Sequence, residues 1–145
     1  MPTEKSMRPP MQNDVTKQNI EALSEFRFQL RRFLRFSEMA ARAEEITPLQ
    51  YLLLLHVKGF PGRDWATIGE LAERLQAAPN SAVALVSRCE AAGLVTRLQS
   101  AVDHRQVEVH LAARGERCLR NLVALHKIEL NAMKSVFRVS KLWRP

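Results

Sequence analysis

Two short groups of residues have types and spacing suited to polyanion chemistry. The first lies between Pro79 and Ala92, where Ala82, Leu85, Val86 and Cys89 recur at three- and four-residue intervals. That spacing is one buried helical face, so it turns Asn80, Ser81, Ala84, Ser87, Arg88 and Ala91 outward. Asn80 can bond an adenine edge with two hydrogen bonds, Ser81 a base or a phosphate, and Arg88 a guanine or a phosphate. Ala84, central on that face, offers only a methyl group. The second group is Asp103-His104-Arg105, between two runs that alternate like strands. An arginine at such a tip can enter a narrow minor groove, where the negative potential is strongest. Asp103 suits a turn former that bonds its own backbone, and His104 a solvent-facing neighbour of phosphates. The same residues, taken alone, also fit a solvated helix face and an ordinary turn.

These groups must be held by the elements around them. Residues 67–111 read as a short helix (Glu70–Leu75), a turn at Gln76-Ala77-Ala78, a second helix opened by Pro79, a stop at Gly93, and two strands, Leu94–Leu98 and Arg105–Leu111. An extended piece, Trp65–Ile68, precedes them. The order describes a winged helix-turn-helix, which lays one helix in a major groove and a hairpin beside it. Upstream, Thr47-Pro48-Leu49-Gln50 is a helix start with a capping box, and the helix Pro48–Lys58 is apolar nearly all round and should be central. Lys17–Ala43 reads as one long helix with Ile20, Leu23, Phe26, Leu30, Phe33, Leu34 and Ala41 on its main stripe. Phe28 and Phe36 lie off that stripe. A helix apolar on two faces packs against two things, its own body and a second subunit. A third long helix runs from Ala113 into the 130s, and the basic ending 136–145 reads as a last short helix.

The predicted fold is mostly α with a small β-hairpin wing, a winged helix-turn-helix flanked by N- and C-terminal dimerisation helices. Residues 1–16 form a flexible tail and 17–145 a single domain. Within it the winged helix-turn-helix spans about 47–111, and the flanking helices about 17–45 and 113–143.

Composition is compatible with this. The chain has 145 residues, 46% hydrophobic and 26% charged, which suits one globular domain. Its net charge of +7 favours a polyanionic partner. The charge is uneven: residues 67–120 carry seven arginines against six acids, whereas 121–145 carry five bases against Glu129. The reading head is nearly neutral, so affinity must come from how its arginines are placed, or from a second copy. Cys89 and Cys118 lack metal spacing, so neither a metal nor any other cofactor is expected. Cys89 falls on a buried helical face and should be inert, whereas Cys118, near the start of a helix beside Arg114 and Arg117, is the better candidate for a redox-active thiol. No apolar run is long enough for a bilayer, and no charged-then-apolar leader opens the chain. A cytoplasmic, nucleoid-associated protein without a membrane partner follows. With no phosphate loop, nucleophile elbow or metal cluster, an enzyme is not expected.

Taken in order, Thr47-Pro48-Leu49-Gln50-Tyr51, IGELAERL (68–75), SAVALVSR (81–88), EAAGLV (90–95), DHR (103–105) and HLAARGE (110–116) resemble the MarR family of bacterial transcription regulators. The resemblance covers about residues 20–135. It implies a homodimer joined through both terminal helices, binding a palindromic promoter site in double-stranded DNA, with repression as the usual outcome. It also implies an effector site between the dimerisation helices and the winged domain, for a small aromatic or phenolic ligand. On this chain that site would draw on Phe26, Leu30, Arg31, Phe33, Tyr51, Leu55 and His56. Three positions depart from the family pattern. Ser87 replaces an acid that can pair with the wing arginine, leaving Arg105 without that partner. Ala78 replaces the capping Ser or Thr before the recognition-helix proline, and Ala112 the usual Thr after the second strand. The departures leave a second reading, a winged-helix scaffold for another protein with reduced DNA specificity.

Overall fold

A computed structural model describes residues 14–133. The basic ending 136–145 and all but the last three residues of the expected tail lie outside the described residues. The elements are α1 (Lys17–Ala43), α2 (Pro48–Lys58), β1 (Trp65–Thr67), α3 (Ile68–Leu75), α4 (Pro79–Ala91), β2 (Val95–Gln99), β3 (Val107–Leu111) and α5 (Ala113–Ala132).

The first three helices begin alike. Thr16, Thr47 and Thr67 each accept a hydrogen bond from the backbone N–H three residues on. The side chains of Asn19, Gln50 and Glu70 bond back to the capping residue. Each box satisfies two backbone donors that a helix start would otherwise leave open. The Thr67 box moves the start of α3 to Ile68, two residues before the start expected at Glu70. Partial burial pushes the Glu70 carboxyl up, but hydrogen bonds with Thr67 and the Arg63 guanidinium outweigh it and leave it below its usual value.

The core is built on Leu53, Leu54 and Val57 of α2, with Leu71 of α3, Val86 and Cys89 of α4, Leu94, Val109 and Leu122 around them. Leu49 of α2 is exposed, so that helix is central on one face rather than buried all round. Of α1 only Ala40 and Ala41 are buried. The rest of its long stripe, with Ile20, Leu23 and Leu34 exposed, extends beyond the core, and Phe28, off that stripe, is exposed as well.

The wing is more than a hairpin. β1 pairs antiparallel with β3, giving a three-stranded sheet in the order β1-β3-β2. The extended piece expected at Trp65–Ile68 is therefore a strand, and it fixes β3 from the side opposite β2. The Arg63 guanidinium lies 4.0 Å from the Trp65 ring centroid and 4.2 Å from that of Phe60, and pairs with Glu70. This sandwich holds the α2–β1 connection against α3.

Candidate nucleic-acid interface

On α4, Ala82, Leu85, Val86 and Cys89 are buried, as their spacing requires. Asn80, Ser81, Ala84 and Arg88 are exposed on the other side, and Ser87 is half-buried at its margin. Val83, also exposed, adds an apolar surface to that side. Ala78 is the N-cap and makes no side-chain hydrogen bond, with Pro79 in the first turn. Burial pushes the Cys89 thiol to about 11 against the smaller opposing effect of Arg88, so it stays protonated in the core.

The wing tip is shaped by its own side chains. Ser100, buried at the end of β2, accepts from the N–H groups of Val102 and Asp103, both at 3.2 Å. Asp103 Oδ1 accepts from the Arg105 N–H at 3.1 Å, the self-bonding turn expected of it. Gln99 donates to the His104 carbonyl at 2.8 Å. At the tip β3 is shorter than expected, beginning at Val107, whereas β2 runs one residue further than expected, to Gln99, and residues 100–106 form the connection. His104 is exposed. The Arg105 side chain is 92% exposed, with one contact, Nε to Asp103 Oδ1 at 3.3 Å. With Ser87 on the recognition helix, Arg105 has no acid partner there. The partner comes instead from two residues away on the wing itself.

The acid that ties helix to wing is Glu90, to which the sequence reading assigned no role. Its carboxylate accepts from the Arg97 N–H at 3.0 Å and from the Arg97 guanidinium at 3.2 Å. Those two hydrogen bonds, the backbone one first, hold the Glu90 carboxyl below its usual value. The available signal was an acid in the last helical turn and an arginine on the first strand, on either side of Gly93. Arg114 of α5 is a second unanticipated anchor, donating to the Ala92 carbonyl at the end of α4.

The residues expected to line an effector site lie on α1 and α2. Leu30 and Arg31 line a groove of about 450 Å³ along α1, with Phe28 and three further arginines. Phe33 and Tyr51 instead surround His126 of α5. The imidazole stacks on Tyr51 with centroids 4.9 Å apart and meets Phe33 and Phe36 edge-on. His126 Nδ1 lies 2.6 Å from the Leu122 carbonyl and Nε2 2.8 Å from the Ser37 hydroxyl. A carbonyl only accepts, so Nδ1 donates to Leu122 and Nε2 shares the second hydrogen bond with the Ser37 hydroxyl. His56 lies elsewhere, where burial and Arg74 of α3 lower its pKa. Phe26 and Leu55 are half-buried, and Arg31 is exposed. His126 thus links α5 to α1 and α2. Its position was legible, at the helical spacing Leu119, Leu122, His126, but its partners on two other helices were not.

Cys118, the better candidate for a redox-active thiol, is buried in the same core cluster as Leu119 and Leu122 and lacks the accessibility that such a thiol needs. Arg114 turns toward the end of α4, and the thiol packs into the core. Among the described residues no group of three His, Cys, Asp or Glu side chains could hold a metal ion, and no helix is long and apolar enough to cross a membrane.

This arrangement has close counterparts. Residues 45–106 match the profile of the MarR family. A MarR family protein from Bacillus stearothermophilus superposes with a TM-score of 0.70 at 22% identity, covering 88% of each chain. NadR in complex with 4-hydroxyphenylacetate superposes at 0.69 with 21% identity, covering 92% of this chain and 90% of its own. The M. tuberculosis transcriptional regulator MOSR in complex with DNA superposes at 0.58 with 23% identity, covering 77% of this chain and 79% of its own. No curated protein matches the chain at the level of sequence. The matched segment spans the helix-turn-helix and most of the wing, and the chain has the winged helix-turn-helix fold of these MarR family structures.

Proposed function

We propose that the chain is a homodimeric transcription regulator that represses by binding a palindromic promoter site. The observation that carries this reading is the exposed Asn80–Arg88 side of α4 standing beside a hairpin tipped by an almost fully exposed Arg105. In the complex, α4 occupies the major groove. Asn80 and Ser81 reach base edges or phosphates, Arg88 takes a guanine or a phosphate, and Ala84 and Ser87 set how closely the helix approaches. Arg105, with His104 beside it, enters the minor groove. Direct reading is sparse, so groove shape carries part of the specificity. The DNA complex of MOSR supports the partner class.

A second copy supplies the other half-site. Exposed Ile20, Leu23, Phe28 and Leu34 of α1 and Val123, Leu125, Ile128 and Leu130 of α5 are apolar surfaces that a monomer would leave in water. Two recognition helices then sit about 34 Å apart, one turn of duplex. The 4-hydroxyphenylacetate complex of NadR supports a small aromatic acid as effector. On this chain such an acid would meet Leu30, Phe28 and Arg31 of the α1 groove, since His126 packs against Phe33 and Tyr51. The domain assignment, one functional unit from 17 to 145, is part of the same proposal.

A mobility-shift titration on duplex from the chain's own promoter tests it. Specific binding at low salt is expected, and its absence would overturn the proposal in favour of a protein-binding scaffold. Arg105→Ala should weaken binding and lower the salt slope by about one phosphate equivalent if it meets the backbone. Unchanged affinity would mean that the wing is idle. Sedimentation should return a dimer, and Ile128→Asp should shift it toward monomer.

A further inference from the structure

The recognition helix and the wing meet at Gly93, whose φ of 72° is the left-handed conformation that glycine adopts without cost. A glycine link of this kind would let the wing swing against the helix. Glu90 and Arg97 span it. β2 is an edge strand, and the Arg97 N–H turns away from β3 to the Glu90 carboxylate. The guanidinium of the same residue closes on the other oxygen. One carboxylate thus takes both the backbone and the side chain of the strand, which fixes strand direction as well as distance.

The two arginines of the wing differ accordingly. The Arg105 side chain is 92% exposed, and among the described residues its guanidinium bonds only to Asp103 within its own turn. The Arg97 side chain is 32% exposed and neutralised by an acid on another element. A neutralised arginine displaces few counterions, so it is poorly suited to gripping phosphate.

Resting on the reading of the chain as a DNA-binding regulator, we propose that Glu90 and Arg97 are positioning residues. They lock the angle between α4 and the wing, so that the α4 face and Arg105 meet the duplex together, and Arg97 itself makes no phosphate contact. Arg114, holding the Ala92 carbonyl, and the Leu94 carbonyl, which accepts from the Ala112 N–H at 2.9 Å, fix the same turn from α5.

The test uses the full chain and two variants, Glu90→Gln and Arg97→Gln. Spin labels at Ser81→Cys and Val102→Cys report the distance from recognition helix to wing tip, and dilution with unlabelled protein confines the measurement to one protomer. Cys89 and Cys118 are buried and stay unlabelled. The native chain should give a narrow distribution and Arg97→Gln a broad one. Glu90→Gln, which keeps an acceptor for the Arg97 N–H but not the charge, should fall between them. Equal widths in all three overturn the proposal. On duplex, Arg97→Gln should bind about tenfold more weakly with the native salt slope. A slope lowered by about one instead makes Arg97 a phosphate contact and overturns it. A native chain that binds no duplex sinks the regulator reading, and the distance distributions then decide the clasp alone.

Discussion

Helices α1, α2 and α3 begin on threonine capping boxes, whereas α4 and α5 begin on Ala78 and Ala112, which cap nothing. The difference separates helices that start by local chemistry from helices that are started by their neighbours. At α5 the replacement is tertiary. The Ala112 N–H donates to the Leu94 carbonyl, Arg114 reaches the Ala92 carbonyl, and Gly115 packs so closely that an added Cβ would lie 2.1 Å from the Leu94 oxygen. The first turn of α5 is therefore built against the end of the recognition unit. A locally capped helix could tolerate some displacement there. This one is tied to the reading head by its opening residues.

The comparison can be broken most severely at Gly115. Gly115→Ala should cost about 1–3 kcal/mol or more, because the obstacle is backbone rather than a side chain free to move. Denaturant unfolding measures it, and a loss near zero would mean that the start of α5 is not anchored as described. Next is Thr67→Ala, which removes the α3 box and should cost about 1 kcal/mol. Ala78→Ser works in the opposite direction and should gain about 0.5–1 kcal/mol by supplying the missing cap of α4. If it gains nothing, the α4 start is already satisfied by other means.

The smallest effect concerns a cost carried between the well-capped helices α2 and α3. Burial, and then Arg74, hold the His56 imidazole below its ordinary value. The unfolded chain takes up that proton more readily than the folded one. Stability from this group is therefore complete above the unfolded pKa, about 6.5, and is lost as pH falls from there toward the folded value. Thermal melts of His56→Gln should show a flatter pH profile than the native chain over that window. An identical decline in both would place the titration on another group.

Much of the fold was legible because its signals are local. The Thr47–Gln50 box, Pro79 opening a helix and the 82-85-86-89 spacing each act within one or two turns. The Asp103 turn is equally local. The β1–β3 pairing was not legible, because Trp65 and His110 are forty-five residues apart and three residues of strand carry too little periodicity to announce a partner. The same limit applies to the site. The outward side of α4 followed from its buried side, but the arginines beside Cys118 in sequence, which favour a reactive thiol, say nothing of the burial that the helix gives it. The contact of His126 with Phe33, Tyr51 and Ser37 was not legible either, because His126 lies eighty-nine residues beyond Ser37.

By itself the sequence determined which faces exist: a recognition helix with one apolar side, a hairpin with an arginine at its tip, and two long helices with apolar surface to spare. Periodicity and capping are short-range, so they need nothing beyond the chain's own neighbours. Only the tertiary structure decided which charges are spent and which are free. Glu90 consumes Arg97 across the Gly93 turn, while Arg105 has only the weak, exposed contact with Asp103. Both are arginines on one hairpin, and composition cannot tell them apart. What separates them is the direction in which an edge strand points its unpaired N–H, and that is settled when the strand meets the helix.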